Sequence, residues 1–255
     1  VYKRQLPASA AAITLTLHVV LTLDEGYAAA GLVAAAATVG MAIGAPLLGR
    51  LVDRRGLRTM LALTLSAQAV FWGVAPLLPY PALLACALFG GLLGVPVYSV
   101  TRQSLAVLVP QERRRPAFAL DSMSVEVSYI VGPAVGALLT VQASSTAAMW
   151  AVGAGWLVVG GALVLLNPPT RAADDASGGP PPGVRQWLGP RLLGALLATT
   201  AAVTVIFGTE LSMIAGLELG GNAAWIPIVN AVWCMASLTG GFAYGAARSS
   251  RPLPL

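Results

Sequence analysis

Apolar residues come in long runs, and charged or turn-forming residues separate them. The first run spans Leu6 to Leu23 and ends at Asp24-Glu25-Gly26. The second spans Ala28 to Leu48 and ends in a charged stretch from Arg50 to Arg58. From Thr59 to Thr101 there is no charge, a length too great for one helix, and Pro79-Tyr80-Pro81 marks the turn inside it. This gives a third helix over 59–78 and a fourth over 82–101, followed by a basic loop to Arg115. A fifth helix is expected over Ala117–Thr140, a sixth over Thr146–Leu166, a seventh over Leu192–Leu217 and an eighth over Ala223–Ala246. Each run approaches the roughly 20 apolar residues that cross a bilayer core. The pattern predicts an all-α membrane protein with about eight transmembrane helices.

Composition excludes the alternatives. Of 255 residues 57% are hydrophobic and 10% charged, with a mean hydropathy of +0.78; soluble domains carry about 25% charged residues. The apolar content is equally wrong for a disordered or fibrous chain. The net charge of +5 is no nucleic-acid signature, because its placement is topological. All 15 Lys and Arg residues precede the first run or follow the second, fourth, sixth and eighth. That one-sided excess predicts a cytoplasmic N-terminus and cytoplasmic basic loops, in a cell (inner) membrane. Tyr80, Trp150 and Trp187 fall near run ends, as interfacial aromatics do. With a single lysine, Lys3, there is no GxxxxGK[ST] phosphate loop. HExxH and GxSxG are absent, one histidine cannot build a metal cluster, and Cys86 and Cys234 lie inside apolar runs as packing residues. No cofactor, no metal and no enzyme activity are expected. The start at Val1 and the end at Leu255, just past an apolar run, read as those of a piece of a longer chain.

One motif carries a family resemblance. Gly49-Arg-Leu-Val-Asp53-Arg54-Arg55-Gly56-Leu57-Arg58, between the second and third helices, resembles the signature loop of the major facilitator superfamily. Leu57 departs from the pattern, where the family often has a basic residue. The resemblance implies a conformational latch for the outward-facing state, formed by Gly49, Asp53, Gly56 and Arg58 with Arg54 in support; a purely topogenic basic loop is the alternative. The segment from Ala117 to Gly136 resembles a bacterial branch of the same superfamily. Its Gly132-Pro133-x-x-Gly136 is similar to the antiporter motif of exporters, with Ser128 where that motif has an upstream glycine. Gly241-Phe-Ala-Tyr-Gly245-Ala-Ala-Arg248 resembles a degenerate copy of the 49–58 loop, 192 residues further on. Two related six-helix halves would make a chain of roughly 400 residues. The expected organisation is a six-helix bundle over 1–166, a cytoplasmic linker over 167–190 and the first two helices of a second, truncated bundle over 191–255.

Carboxylates inside apolar runs are the candidate chemistry, since an isolated ionised group there must be protonated, paired or wetted. Glu126 lies about nine residues into the fifth helix, about 14 Å deep, near the midplane. It turns away from the small-residue stripe Ser124, Ser128, Gly132 and Gly136, which reads as a helix-packing seam, with a seam that slides during transport as its functional version. Glu126 is a proton or substrate site or a structural hydrogen bond. Glu210 in the seventh helix is a second candidate. His18 in the first is read as a packed neutral histidine ahead of a proton carrier. Asp121, nearer the inner surface, is expected to pair with Arg102 or an arginine of the 50–58 loop. Glu218, Asp24 and Glu25 read as outer-surface groups.

The resulting expectation is a secondary transporter in which two helical bundles rock about a central site. Proton-coupled efflux of a small compound, amphipathic ones included, comes first, uptake of a sugar or metabolite second, and a non-transporting sensor on the same scaffold third. Because no Lys or Arg lies inside an expected span, an organic anion is disfavoured. The partners are a small-molecule substrate, protons and the lipid bilayer, with no nucleic acid and a monomeric state. The excess of Arg over Lys suggests a high-GC bacterium.

Overall fold

A computed structural model describes residues 5–170, 189–222 and 225–246. Its described helices are α1 (Leu6–Leu21), α2 (Tyr27–Arg55), α3 (Leu57–Val74), α4 (Tyr80–Leu92), α5 (Val97–Leu108), α6 (Arg114–Gln142), α7 (Ser145–Leu166), α8 (Pro190–Leu219) and α9 (Ile226–Ala246), with no strand among the described residues. Five segments are long and apolar enough to cross a membrane: Tyr27–Arg55, Leu57–Leu77, Tyr80–Leu108, Gln111–Gln142 and Ser145–Leu166. Leu6–Leu21, Leu192–Ile206 and Ile228–Ala243 are shorter apolar helices. The chain is a multi-pass helical membrane protein.

Two expectations about boundaries change. The fourth helix is not continuous over 82–101. It breaks at Leu93–Pro96, and α5 then runs on to Leu108, through residues expected to form a loop. Pro96 has no N–H and disfavours helical geometry at Val95. The exposed end of α4 is satisfied from α3: Gln68 Nε2 donates to Gly90 O at 2.8 Å, while Gln68 Oε1 accepts from Trp72 Nε1 at 3.0 Å. The second change concerns the signature motif. Gly49 to Arg55 continue α2, and Gly56 alone joins α2 to α3. Its φ of +84° is a conformation that a side chain disfavours, so glycine is required there.

Other boundaries follow local chemistry. Pro7 and Pro81 sit in the first turns of α1 and α4, where no N–H is needed. Ser144 caps α7 by accepting from Ala147 N at 3.0 Å, and Asn167 ends it in the left-handed region. Pro46 and Pro133 lie inside α2 and α6.

The chain divides into two compact units, Val1–Arg171 with Ser237–Leu255, and Ala172–Ala236. In the second, the turn between α8 and α9 passes through Gly221, at φ +70°, and Asn222 N donates to Leu217 O at 2.8 Å. In the first, the closest helix pairings are α2 with α4, α1 with α6 and α3 with α7. Counting α4 and α5 as one span, exchanging spans one to three for four to six maps these pairings onto one another. That is the signature of an internal inverted repeat. The α2–α4 contact is backbone on backbone. A Cβ on Gly40 would strike Leu88 O and Leu92 N, and one on Gly91 would strike Ala37 O. The large apolar residues turned outward on α2 are Tyr27, Leu32, Val39, Met41, Ile43 and Leu47, an exterior suited to lipid.

Candidate functional site: a polar cavity on α6

α6 carries polar residues on two faces. One face, Asp121, Ser124, Ser128, Gly132, Gly136 and Thr140, is buried. Its middle packs on α1: Ser9 Oγ donates to Ser128 O at 2.7 Å, and Gly132 and Gly136 leave room for Ser9 and Thr14. The other face, Phe118, Ala119, Ser122, Met123 and Glu126, lines a cavity of about 440 Å³ with Arg102 of α5 and Ser237, Gly240 and Gly241 of α9. Phe118, Ser122 and Glu126 are four residues apart, so they stack on one side of the helix.

Glu126 is half-buried and accepts a hydrogen bond from Ser237 Oγ at 2.8 Å. Across the wall, Arg102 stacks over Tyr98 at 4.6 Å and lies 5.8 Å from the Phe118 ring centre. Its Nη2 donates to Ser122 Oγ at 3.3 Å, and its Nε lies 3.7 Å from Asp121 Oδ2. The Asp121 side chain is 1% exposed and the Arg102 side chain 40% exposed. One cation thus spans the space between a sealed carboxylate and an open cavity.

This arrangement corrects one expectation. Arg102 lies in a helix, α5, at the end of the apolar segment Tyr80–Leu108, and not in a loop after Thr101. The charge-free run to Thr101 suggested that the helix stopped there. The break at Leu93–Pro96 instead lets a second helix begin at Val97, and this helix includes the arginine. Tyr98, Phe118 and Ser122 were also missed, although the four-residue spacing to Glu126 marked the latter two. Ser237 gave no signal in the sequence.

The other candidates lie elsewhere. His18 is fully buried between α1 and α7, its Nδ1 2.8 Å from Ser145 Oγ, which is also 2.5 Å from Thr22 Oγ1. It does not line the cavity. Gly49, Asp53, Arg54 and Arg58 are exposed around the α2–α3 junction with Gly56. Gly132 and Gly136 serve the α1 contact, and Pro133 between them is partly buried. The side chains of Glu210 and Glu218, and most of the 167–190 linker with Trp187, lie outside the described residues, as does Arg248 of the second motif copy. Among the described residues no group of His, Cys, Asp and Glu could hold a metal ion.

The model of the Major Facilitator Superfamily matches residues 6–253. The chain belongs to that superfamily. A chloramphenicol resistance protein of Streptomyces lividans is 29% identical over 230 residues, covering 88% of this chain and 58% of its own length. This chain thus spans a little over half the length of that relative. No solved structure gives a significant match.

Proposed function

We propose that the protein is a proton-coupled exporter of small molecules in the cytoplasmic membrane, and that Glu126 is its proton site. The observation that carries this reading is a carboxylate well inside a transmembrane helix, facing a cavity and bonded to Ser237 of another helix. A carboxyl so placed gains a negative charge and loses its own O–H donor on giving up a proton, so its protonation and its contact with Ser237 are linked. The relative's name, a resistance protein, supports export over uptake, as does Gly132-Pro133-x-x-Gly136.

In this reading residues 1–166 form one six-helix bundle, 167–190 a cytoplasmic linker, and 191–255 begin the second bundle. The α2–α3 junction is the latch: Gly56 sets the turn, Gly49 and Asp53 lie one to two turns before it, and Arg54 and Arg58 flank it at the inner surface. The test uses full-length protein in proteoliposomes holding a pH-sensitive dye, challenged with cationic drugs, sugars and organic acids. Export by antiport predicts proton movement opposite to substrate, abolished in Glu126→Gln. Movement in the same direction would instead establish uptake by symport. An identical response in wild type and variant would remove Glu126 from the coupling step.

A further inference from the structure

On α9 the cavity is bordered by Ser237, Gly240 and Gly241. Their spacing of three and four residues puts them on one side of that helix. Ser237 Oγ donates to Glu126 Oε1 at 2.8 Å and ties α9 to α6 at that level. The two glycines differ in what surrounds them. A Cβ on Gly241 would meet Met123 Cγ at 3.4 Å, an ordinary contact where α9 approaches α6. A Cβ on Gly240 would meet no described atom within 4 Å. At 3.6 residues per turn, Gly240 stands about 60° around α9 from Ser237, so a side chain there would enter the space beside the Ser237–Glu126 contact. Neither close packing nor backbone geometry requires glycine at this position. The helix runs through it without a positive φ, and glycine is among the weakest helix formers. What the glycine leaves is open space, in a cavity whose 440 Å³ lies at the small end of the range that holds drug-sized ligands.

We infer that Gly240 is a specificity-determining residue: the lack of a side chain there sets the largest ligand that the cavity admits beside Glu126. The inference rests on the proposed exporter reading, with the cavity as its substrate site. It concerns girth and not charge. The rest of the wall is built of side chains held in place. Arg102 stacks over Tyr98 at 4.6 Å, donates to Ser122 Oγ at 3.3 Å and lies 5.8 Å from the Phe118 ring centre. That wall cannot retreat without giving up those contacts, so bulk added on α9 is subtracted from the room for a ligand. Met123, an unbranched side chain, is the adaptable part of the lining. A residue larger than glycine at 240 therefore acts by size. A small ligand still fits, and a large one meets the added atoms and overpacks the site.

The test measures binding of benzyl alcohol, 1-naphthalenemethanol and 1-pyrenemethanol to purified full-length protein. The probes share one hydroxymethyl group and carry no charge, so ring size alone varies. Wild type should bind all three. In Gly240→Leu, 1-pyrenemethanol should bind at least about tenfold more weakly, while benzyl alcohol changes by less than about twofold. Gly240→Ala should give the same order with a smaller spread. Its thermal unfolding midpoint should be unchanged or raised, because alanine favours a helix interior wherever nothing obstructs it. Equal loss of all three probes, or a lowered midpoint in Gly240→Ala, would assign Gly240 to helix packing and overturn the inference. So would unchanged 1-pyrenemethanol binding in Gly240→Leu. A Gly240→Leu protein that does not fold would contradict the open space and overturn it as well. If wild type rejects the largest probe, the space beside Gly240 is closed to ligands and the inference falls. If wild type binds no probe while Glu126-dependent proton movement persists, the cavity is not the substrate site, and the proton-coupling reading survives without it.

Discussion

The α2–α4 and α1–α6 contacts occupy equivalent places in the internal repeat, yet they are built differently. In the first, Gly40, Gly44 and Gly91 bring one backbone directly against another, and the facing groups are carbonyls and amides that cannot move aside. In the second, the nearest atoms to Gly132 and Gly136 belong to side chains, with Ala10 backbone next, and the hydroxyl of Ser9 reaches across to Ser128 O. Lipid offers helices no hydrophobic reason to associate, so both seams rely on close packing. The first is fixed by main chain. The second has hydroxyl rotors that can exchange partners, since Ser9 Oγ also lies within reach of Gln5 O and Leu6 O of its own helix. The difference bears on the proposed function: in that reading α6, which carries Glu126, responds to its protonation, while α2–α4 is the frame.

Substitutions can break or sharpen this contrast. Gly40→Ala should have the largest effect, because its Cβ meets only backbone. Overpacking costs about 1–3 kcal/mol even where neighbours yield, so a collapse of folded yield is expected, read by size-exclusion profile and thermal unfolding in detergent. Gly132→Ala should be milder, because the nearest atom, Ser9 Oγ, can rotate away and only a small shift is then needed from Ser9 Cβ and Ala10 N; it should lower thermal stability measurably while leaving most protein folded. Equal losses in the two variants would erase the distinction. Ser9→Ala should have the smallest effect, about 0.6–1 kcal/mol for a hydrogen bond between membrane helices. Its clearest readout is a change in transport rate with near-normal stability.

The fold was largely legible because lipid-spanning helices announce themselves in uninterrupted apolar runs. Reading fails where a span is not one helix. The run from Thr59 to Thr101 gave no reason to carry a helix past Gly94-Val95-Pro96 to Leu108, so Arg102 was assigned to a loop. The site was legible in part. Glu126 stood out because a charge in an apolar run is costly, and Arg102 was an expected partner for Asp121. That Arg102 also borders the cavity beside Glu126 depends on the bend before α5 and on the packing of α9. Neither leaves a periodic trace. The stripe from Ser124 to Gly136 was readable because small residues every four positions align on one helix face. The α2–α4 seam showed only as the pair Gly40 and Gly44; Gly91 on the other side had no such spacing to mark it.

If Glu126 is the proton site of an exporter working by antiport, as proposed, substrate and proton compete through it. The most direct test of that competition is the pH dependence of ligand binding to the full-length protein, wild type beside Glu126→Gln, with a transported compound as ligand. Competition requires that affinity fall as pH falls, with about one proton displaced per ligand bound. In Glu126→Gln the affinity should no longer vary with pH. The same pH dependence in both proteins, or affinity that rises as pH falls in wild type, would contradict the account.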